Sequence, residues 1–317
     1  MEKLRRPRKL ISFIIRHRRS ISAVVVGLLI YLVVTQVENL KQSLHVLEQA
    51  TIPLVLLAIG LTILIYVFAA EIYFLLVKHP IRLRALLLVQ AATALTGRLA
   101  PIGVGSIGFN VLFMQRRKHT LPEALGVAAA FSAIAVTVHA TLLGIILISV
   151  PAPSNVHLSI SKNEVTAAVL TIFGLILLLL LFRKLRNKIA RGTKKTFQAI
   201  VSYADNPKAV VSAIIMSAGI STVYALVLLT CSQALGVKLA FNQVFLIYTF
   251  SVITGAATPT PGGLGGVEAG LTGGFVAYGA DPNTAIAVAL LYRLITYWLP
   301  LIPGLVALRI VQKRFFS

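Results

Sequence analysis

Acidic side chains are scarce: nine Asp and Glu stand against 30 Lys and Arg, and only 12% of the 317 residues are charged. Both aspartates, Asp205 and Asp281, fall in connections between apolar runs, which argues against a metal-dependent phosphotransferase or prenyltransferase. Cys231 is the single cysteine and lies inside an apolar segment. An intrachain disulfide and a thiolate metal cluster are therefore excluded. The sequence holds no G-x-x-x-x-G-K-[ST] phosphate loop, no H-E-x-x-H and no nucleophile elbow. No cofactor, metal or catalytic residue is expected, and the chain does not read as an enzyme.

Apolar residues dominate instead, at 57% of the chain, with a mean hydropathy of +0.89. Soluble domains carry roughly a quarter charged residues, so a water-soluble globule cannot hide this much apolar surface. Runs such as 52–77 and 165–182 reach the roughly 20 residues needed to cross a hydrocarbon core. The expected fold class is an all-α integral membrane protein of one domain, 1–317. The net charge of +21 imitates a nucleic-acid footprint, but the basic residues lie in short blocks between apolar runs, as membrane topology requires. No nucleic-acid partner is expected.

Apolar segments fall at 20–37, 52–77, 85–97, 104–115, 122–150, 164–182, 209–235, 241–258, 262–279 and 282–308. The first follows the basic stretch 1–19 without a small-x-small cleavage site, so it reads as a retained helix. Segments 85–97 and 104–115 are too short to span alone and flank Pro101, Gly103 and Gly105; together they predict a hairpin. Segments 241–258 and 262–279, joined by Thr258-Pro-Thr-Pro-Gly-Gly, predict a second, either re-entrant or fully crossing. With six full helices and both hairpins returning to their own side, 25 of the 30 basic residues fall on one face. The positive-inside rule makes that face cytoplasmic, with both termini there and the protein in the cell membrane.

The two halves resemble one another. At an offset of 160, Pro101-Ile-Gly103-Val-Gly105-Ser106 lies over Pro261-Gly-Gly263-Leu-Gly265-Gly266, Pro122 over Pro282, and 52–77 over 212–237. Repeat 1 then covers 20–158 with hairpin 85–115, and repeat 2 covers 159–317 with hairpin 241–279. Three crossings per half would insert the second half upside down, the inverted architecture of many secondary transporters. Chance coincidence of Pro and Gly in a biased composition is the plain alternative.

Gly103-Val-Gly105-Ser-Ile-Gly108 fits the dinucleotide fingerprint, but it joins two apolar helices rather than opening a βαβ unit, and it is discarded. The physical content that survives is a pair of glycine turns, each followed by a helix whose N-terminus presents free N–H groups to an anion. The turns would use Gly103, Gly105, Gly262, Gly263 and Gly265. Tight helix packing is an equal explanation for the glycines. Four ionisable residues lie within apolar segments, Glu71, Arg98, Glu268 and Arg293, where each costs about 2.5–3.5 kcal/mol or more at the bilayer centre. Either they form two structural ion pairs, or Arg98 and Arg293 hold a phosphate while the carboxylates respond to it. Asn110 joins this candidate site, and His139, also buried, is a packing residue or a charge partner. Tyr297 and Trp298 near Pro300 and Pro303 predict a kinked last helix.

Pro259-Thr-Pro261-Gly-Gly-Leu-Gly-Gly-Val-Glu268, followed by Arg293 and Tyr297-Trp298-Leu-Pro300, resembles the flippase-like membrane domain of bacterial lysylphosphatidylglycerol synthetases, with Arg98-Leu-Ala-Pro101-x-Gly-x-Gly as its N-terminal counterpart. The resemblance covers nearly the whole chain, as in a small stand-alone member. It implies movement of a lipid between leaflets, an anionic or aminoacylated phospholipid or a polyprenyl-linked one. Up to Ser317 no soluble aminoacyl-transferase domain appears, so no synthase activity is carried over. Two other readings stay open: a small-solute or ion transporter of the same architecture, and a membrane-embedded enzyme acting on a polyprenyl phosphate. The sequence leaves the oligomeric state open, a homodimer included.

Overall fold

The computed structural model describes residues 46–98, 104–149, 206–258 and 260–315. The expected helices at 20–37 and 164–182, the basic stretches 1–19 and 183–205, and Gly103 lie outside the described residues. Those described are helical: α1 (Ile52–Leu76), α2 (Leu83–Thr96), α3 (Val104–Arg116), α4 (Leu121–Ser149), α5 (Pro207–Ala234), α6 (Phe241–Ala257), α7 (Gly266–Ala277), α8 (Pro282–Arg293) and α9 (Leu301–Phe315). A 3-10 turn at Pro261–Gly263 precedes α7, and a π-helical turn at Leu294–Trp298 joins α8 to α9.

Among the described residues four helical spans are long and apolar enough to cross a membrane: α1, residues 121–147 of α4, α5, and the continuous 34-residue run from Pro282 to Phe315. Helices α2, α3 and α7, of 14, 13 and 12 residues, reach only about 18–21 Å at the helical rise, short of the ~30 Å hydrocarbon core. Large side chains stand on the outer faces without cover, among them Ile63, Val136, Ile145, Ile215, Ile253 and Ile302. Such a girdle belongs against lipid chains, where the folded chain must satisfy its own backbone polar groups. The all-α, multi-span class follows directly.

Helix ends are built for that demand. Proline occupies the first turn of α1, α5 and α8, where no N–H is missed. Asp281 caps α8 by accepting from the N–H groups of Asn283 (3.0 Å) and Thr284 (3.1 Å), and Asn206 accepts from Ala209 (3.2 Å) at the head of α5. Helices α5 and α7 each end in a glycine of positive φ, Gly236 and Gly279. In both, paired bonds return to the last turn: Val237 N–H to Ser232 and Gly236 N–H to Gln233, then Ala280 N–H to Phe275 and Gly279 N–H to Val276. This double closure satisfies carbonyls that lipid cannot.

The most extensive helix contact joins α1 to α5. The Thr51 N–H donates to the Ala234 carbonyl at 2.9 Å, so the start of α1 meets the end of α5 and the two run antiparallel. One apolar core gathers α1, α5, α6, α7 and α8 around Leu228, Phe245, Leu271 and Phe275. A second gathers α1, α2, α3 and α4 around Leu86, Val89, Phe113 and Met114.

Hairpin α6–α7 is held by a row of small residues. Gly266, Gly270 and Gly274 recur every fourth position on α7 and face α6. A Cβ on Gly266 would run into Thr258, one on Gly270 into Thr254, and one on Gly274 would lie 2.8 Å from the Ile247 side chain. Lipid gives helices no hydrophobic push toward one another, so close backbone approach supplies the attraction. Hairpin α2–α3 is pinned differently: the Gln90 amide donates to Asn110 Oδ1 at 2.9 Å, and the Asn110 amide donates to the Ser106 carbonyl at 3.0 Å.

Candidate functional site

Beyond α6 the chain turns through Thr258–Gly265. Gly262 and Gly263 lie consecutively at φ +67° and +65°, a left-handed pair that side chains adopt only at a cost. Space enforces the same choice. A Cβ on Gly262 would run into the Tyr297 ring, and one on Gly263 would sit 2.9 Å from the Gly255 carbonyl oxygen. The Thr260 hydroxyl closes the turn by donating to the Leu264 carbonyl at 2.7 Å.

Glu268, in the first turn of α7, uses both carboxylate oxygens. Oε2 accepts the Gly265 N–H at 2.8 Å and Oε1 accepts Arg293 Nε at 2.6 Å. The Arg293 guanidinium also donates through Nη2 to the Gly262 carbonyl at 3.2 Å and lies 4.1 Å from the Tyr297 ring centre. Arg293 is buried, at 7% exposure, so the pairing offsets a charge that would otherwise be untenable there. The expectation that the α7 N-terminus lies open to a ligand anion is thus modified: the chain's own Glu268 already reaches back to it.

Arg98, just past the end of α2, is held without a carboxylate among the described residues. It donates to the Ala94 carbonyl and, through Nη2, to the Thr296 carbonyl at 2.5 Å; its guanidinium lies 4.7 Å from the Tyr297 ring centre and faces the Tyr66 phenol. The Thr296 carbonyl is available because the residue four positions on is Pro300, which has no N–H to donate. The π turn at Leu294–Trp298, in which the Leu299 N–H reaches back to Leu294 at 2.8 Å, supplies the remaining irregularity. Such turns concentrate at functional sites. Tyr297 lies on it, and both arginines, Arg293 buried and Arg98 half-buried, meet its ring.

The arrangement joins the two hairpins at one point. Arg98, Gly262, Gly263, Gly265, Glu268 and Arg293 come together around Tyr297 and the second glycine turn. Gly105 lies in the first turn of α3. Asn110 ties α3 to α2 by accepting the Gln90 amide at Oδ1. Glu71 makes no ion pair among the described residues, so the second of two expected Arg–Glu pairs does not form there. His139 sits elsewhere, between the Ser221 hydroxyl (3.2 Å) and the Thr249 hydroxyl (3.2 Å) and stacked on Phe245. Tyr66, Thr296 and Pro300 enter the site without having been singled out for it; a proline four residues after a buried carbonyl is the signal that would have found Thr296. Beside Arg98 opens an apolar crevice of about 350 Å³, lined by Ile59, Ile63, Tyr66, Leu87, Ala94 and Leu299 among others.

Residues 20–304 match the family model of the lysylphosphatidylglycerol synthase TM region. Over 67 residues the chain is 33% identical to a UPF0104 membrane protein of Methanothermobacter thermautotrophicus, covering 21% of this chain and 20% of the relative. UPF0104 membrane proteins of Pyrococcus horikoshii (34% over 71 residues, 22% and 21%) and Methanocaldococcus jannaschii (34% over 68 residues, 22% and 20%) are similar to the same extent. The aligned stretches span about a fifth of the length of these relatives. The matched family describes a membrane region rather than a catalytic domain. The chain is accordingly a multi-pass membrane protein, and it belongs to the family of the lysylphosphatidylglycerol synthase TM region.

Proposed function

We propose that the protein moves a phosphate-bearing lipid between leaflets, receiving the headgroup phosphate at Arg98 between the two hairpins while the chains stay in the bilayer. The observation that carries this reading is the imbalance of charge at Tyr297. Arg293 has Glu268, whereas Arg98 has carbonyls, a phenol and a ring, and no carboxylate among the described residues. A half-buried cation so held keeps its charge for an anion. The apolar crevice beside it offers one lipid chain a path, which favours a lipid over a small solute. Anionic or aminoacylated phospholipids and polyprenyl-linked lipids all carry the required phosphate.

The inverted-repeat topology belongs to the same proposal, with repeats at 20–158 and 159–317, six full crossings, two hairpins and both termini in the cytoplasm. Support comes from α1 and α5, which the offset of 160 relates and which pack antiparallel. Cysteine labelling at Lys118 and Lys238 should report opposite sides of the membrane; labelling from the same side overturns the topology. Cys231 is buried and adds little background.

The function is tested with purified protein in vesicles carrying labelled phosphatidylglycerol. Arg98→Gln should fold and lose lipid movement, and Arg98→Lys should retain part of it. Wild-type rates in Arg98→Gln overturn the assignment. Movement of soluble anions, with labelled lipid left in place, would support the small-solute reading instead.

A further inference from the structure

A second cavity, with charged residues in its lining, lies at the other end of α2, about 21 Å from Arg98 by the helical rise. It is a cleft of about 530 Å³ between the start of α2, the end of α3 and the last turn of α9. Among the described residues its charged lining is Arg82, Arg84, Arg117 and Arg314, with no carboxylate. The nearest acidic side chain by sequence, Glu123, is taken up by the Thr120 N–H and hydroxyl, each at 2.9 Å.

Three features make this more than a solvated basic face. Arg117 Nε is buried without a hydrogen-bond partner, while its guanidinium is fixed 4.3 Å from the Phe315 ring centre and 5.8 Å from that of Phe113. Arg82 stands at the N-cap of α2, where the first turn holds no acidic residue and the helix dipole already presents positive charge. Arg84 and Arg314 are exposed and complete a ring of like charges that repel one another when empty. Guanidinium forks match phosphate oxygens in pairs, and Ile81, Leu88 and Phe315 give the same cleft an apolar side.

We propose that this cleft binds a phosphate-bearing anion, as a phospholipid headgroup or as free phosphate, at a site separate from Arg98. Basic pockets between membrane helices are where anionic headgroups settle. The bound phosphate would bridge α2, the end of α3 and α9, and so tie the first hairpin to the last helix. This inference does not rest on the lipid-movement reading.

The test is thermal unfolding of the full chain in neutral detergent, titrated with phosphatidylglycerol, phosphatidylcholine or inorganic phosphate. Phosphatidylglycerol should raise the melting temperature of the wild-type protein and of Arg98→Gln alike, and phosphatidylcholine should not. Arg84→Gln/Arg314→Gln alters two exposed side chains, and it should need about tenfold more phosphatidylglycerol for the same rise. If the double variant does not fold, each single variant should show the same shift in part. An arginine-dependent rise with inorganic phosphate alone would assign free phosphate as the ligand. The proposal is overturned if no anion raises the melting temperature, if the arginine variants titrate like wild type, or if Arg98→Gln abolishes the response.

Discussion

Glu268 binds Arg293 with one carboxylate oxygen, Nε to Oε1 at 2.6 Å, and caps its own helix with the other, accepting the Gly265 N–H at 2.8 Å. The two bonds make the pair asymmetric. Arg293 could in principle be served by another anion, but Glu268 is also tied to the positive end of α7.

Exchanging the two residues therefore does not restore the wild-type protein. Removing one partner of a buried pair costs about 3–5 kcal/mol, so Arg293→Gln and Glu268→Gln should each lower the melting temperature. In Glu268→Arg/Arg293→Glu the cation stands in the first turn of α7, against the dipole, and the Gly265 N–H loses its acceptor. We expect the exchange to stay as destabilised as the single variants. Recovery of wild-type stability in thermal unfolding would reduce the contact to a simple ion pair.

The glycines of the second turn separate by mechanism. Gly262→Ala meets both a left-handed backbone, about 1–3 kcal/mol, and the Tyr297 ring, a further ~1–3 kcal/mol of overpacking. Gly265 has φ +86° with nothing within 4 Å of its virtual Cβ, so Gly265→Ala meets the backbone cost alone. Gly60 has open space and no positive φ. Stability should rank Gly60→Ala above Gly265→Ala above Gly262→Ala. A Gly262→Ala variant as stable as Gly60→Ala would contradict the packing of Tyr297 against the turn.

Arg98 and Pro300 should prove coupled although 202 positions separate them. Pro300→Ala restores an N–H that can return to Thr296, taking from Arg98 the carbonyl it now binds. In wild type that substitution both repairs a helix and dislodges the guanidinium; with Arg98→Gln in place only the repair remains. A double-mutant cycle in detergent should give a coupling energy of about 0.5–3 kcal/mol, the range for residues that share a partner. Strict additivity would sever the proposed link.

Outside the membrane-spanning helices, His119 predicts a pH effect. Burial pushes its imidazole below the ordinary histidine range, partly opposed by the Arg117 carbonyl. Its Nε2 accepts the His79 N–H at 3.3 Å, and Nδ1 lies 3.1 Å from the Arg117 carbonyl, so the neutral ring with hydrogen on Nδ1 fits both. A depressed folded pKa contributes stability that is fully present above the unfolded value, about 6.5, and is lost as pH falls through the folded value. The wild-type advantage over His119→Gln should therefore shrink between about pH 7 and pH 5. An advantage that grows on acidification would reverse the sign and refute the neutral ring.

Much of the helix order was legible in the sequence because membrane helices announce themselves by length and apolarity. The run 52–77 became α1 and 209–235 became α5, each within two residues. The split of the last helix was readable from Pro300 and Pro303, though the irregular turn falls upstream of both. Pairing within the site was harder. Glu268 and Arg293 are recognisable as charges that need each other, whereas Glu71, equally conspicuous, has no such partner among the described residues. Arg98 defeated sequence reasoning because its partners are carbonyls, a phenol and an aromatic ring, groups that every helix carries and no motif marks. Glu268 as the cap of α7 was missed for a related reason: an acidic residue in a first turn serves its own helix before any ligand.

The carbonyl that Pro300 leaves to Arg98 also limits what can displace it. An anion that draws the guanidinium away strips Thr296 of its donor, and an orphaned buried acceptor costs about 1–3 kcal/mol. A bare phosphate diester brings only acceptors and leaves that loss standing. A headgroup with a hydroxyl or an ammonium next to its phosphate brings a donor as well, and can trade places with Arg98 without leaving either side unsatisfied. Glycerol and amino acid headgroups meet that condition, and a choline headgroup, with no hydrogen to donate, does not.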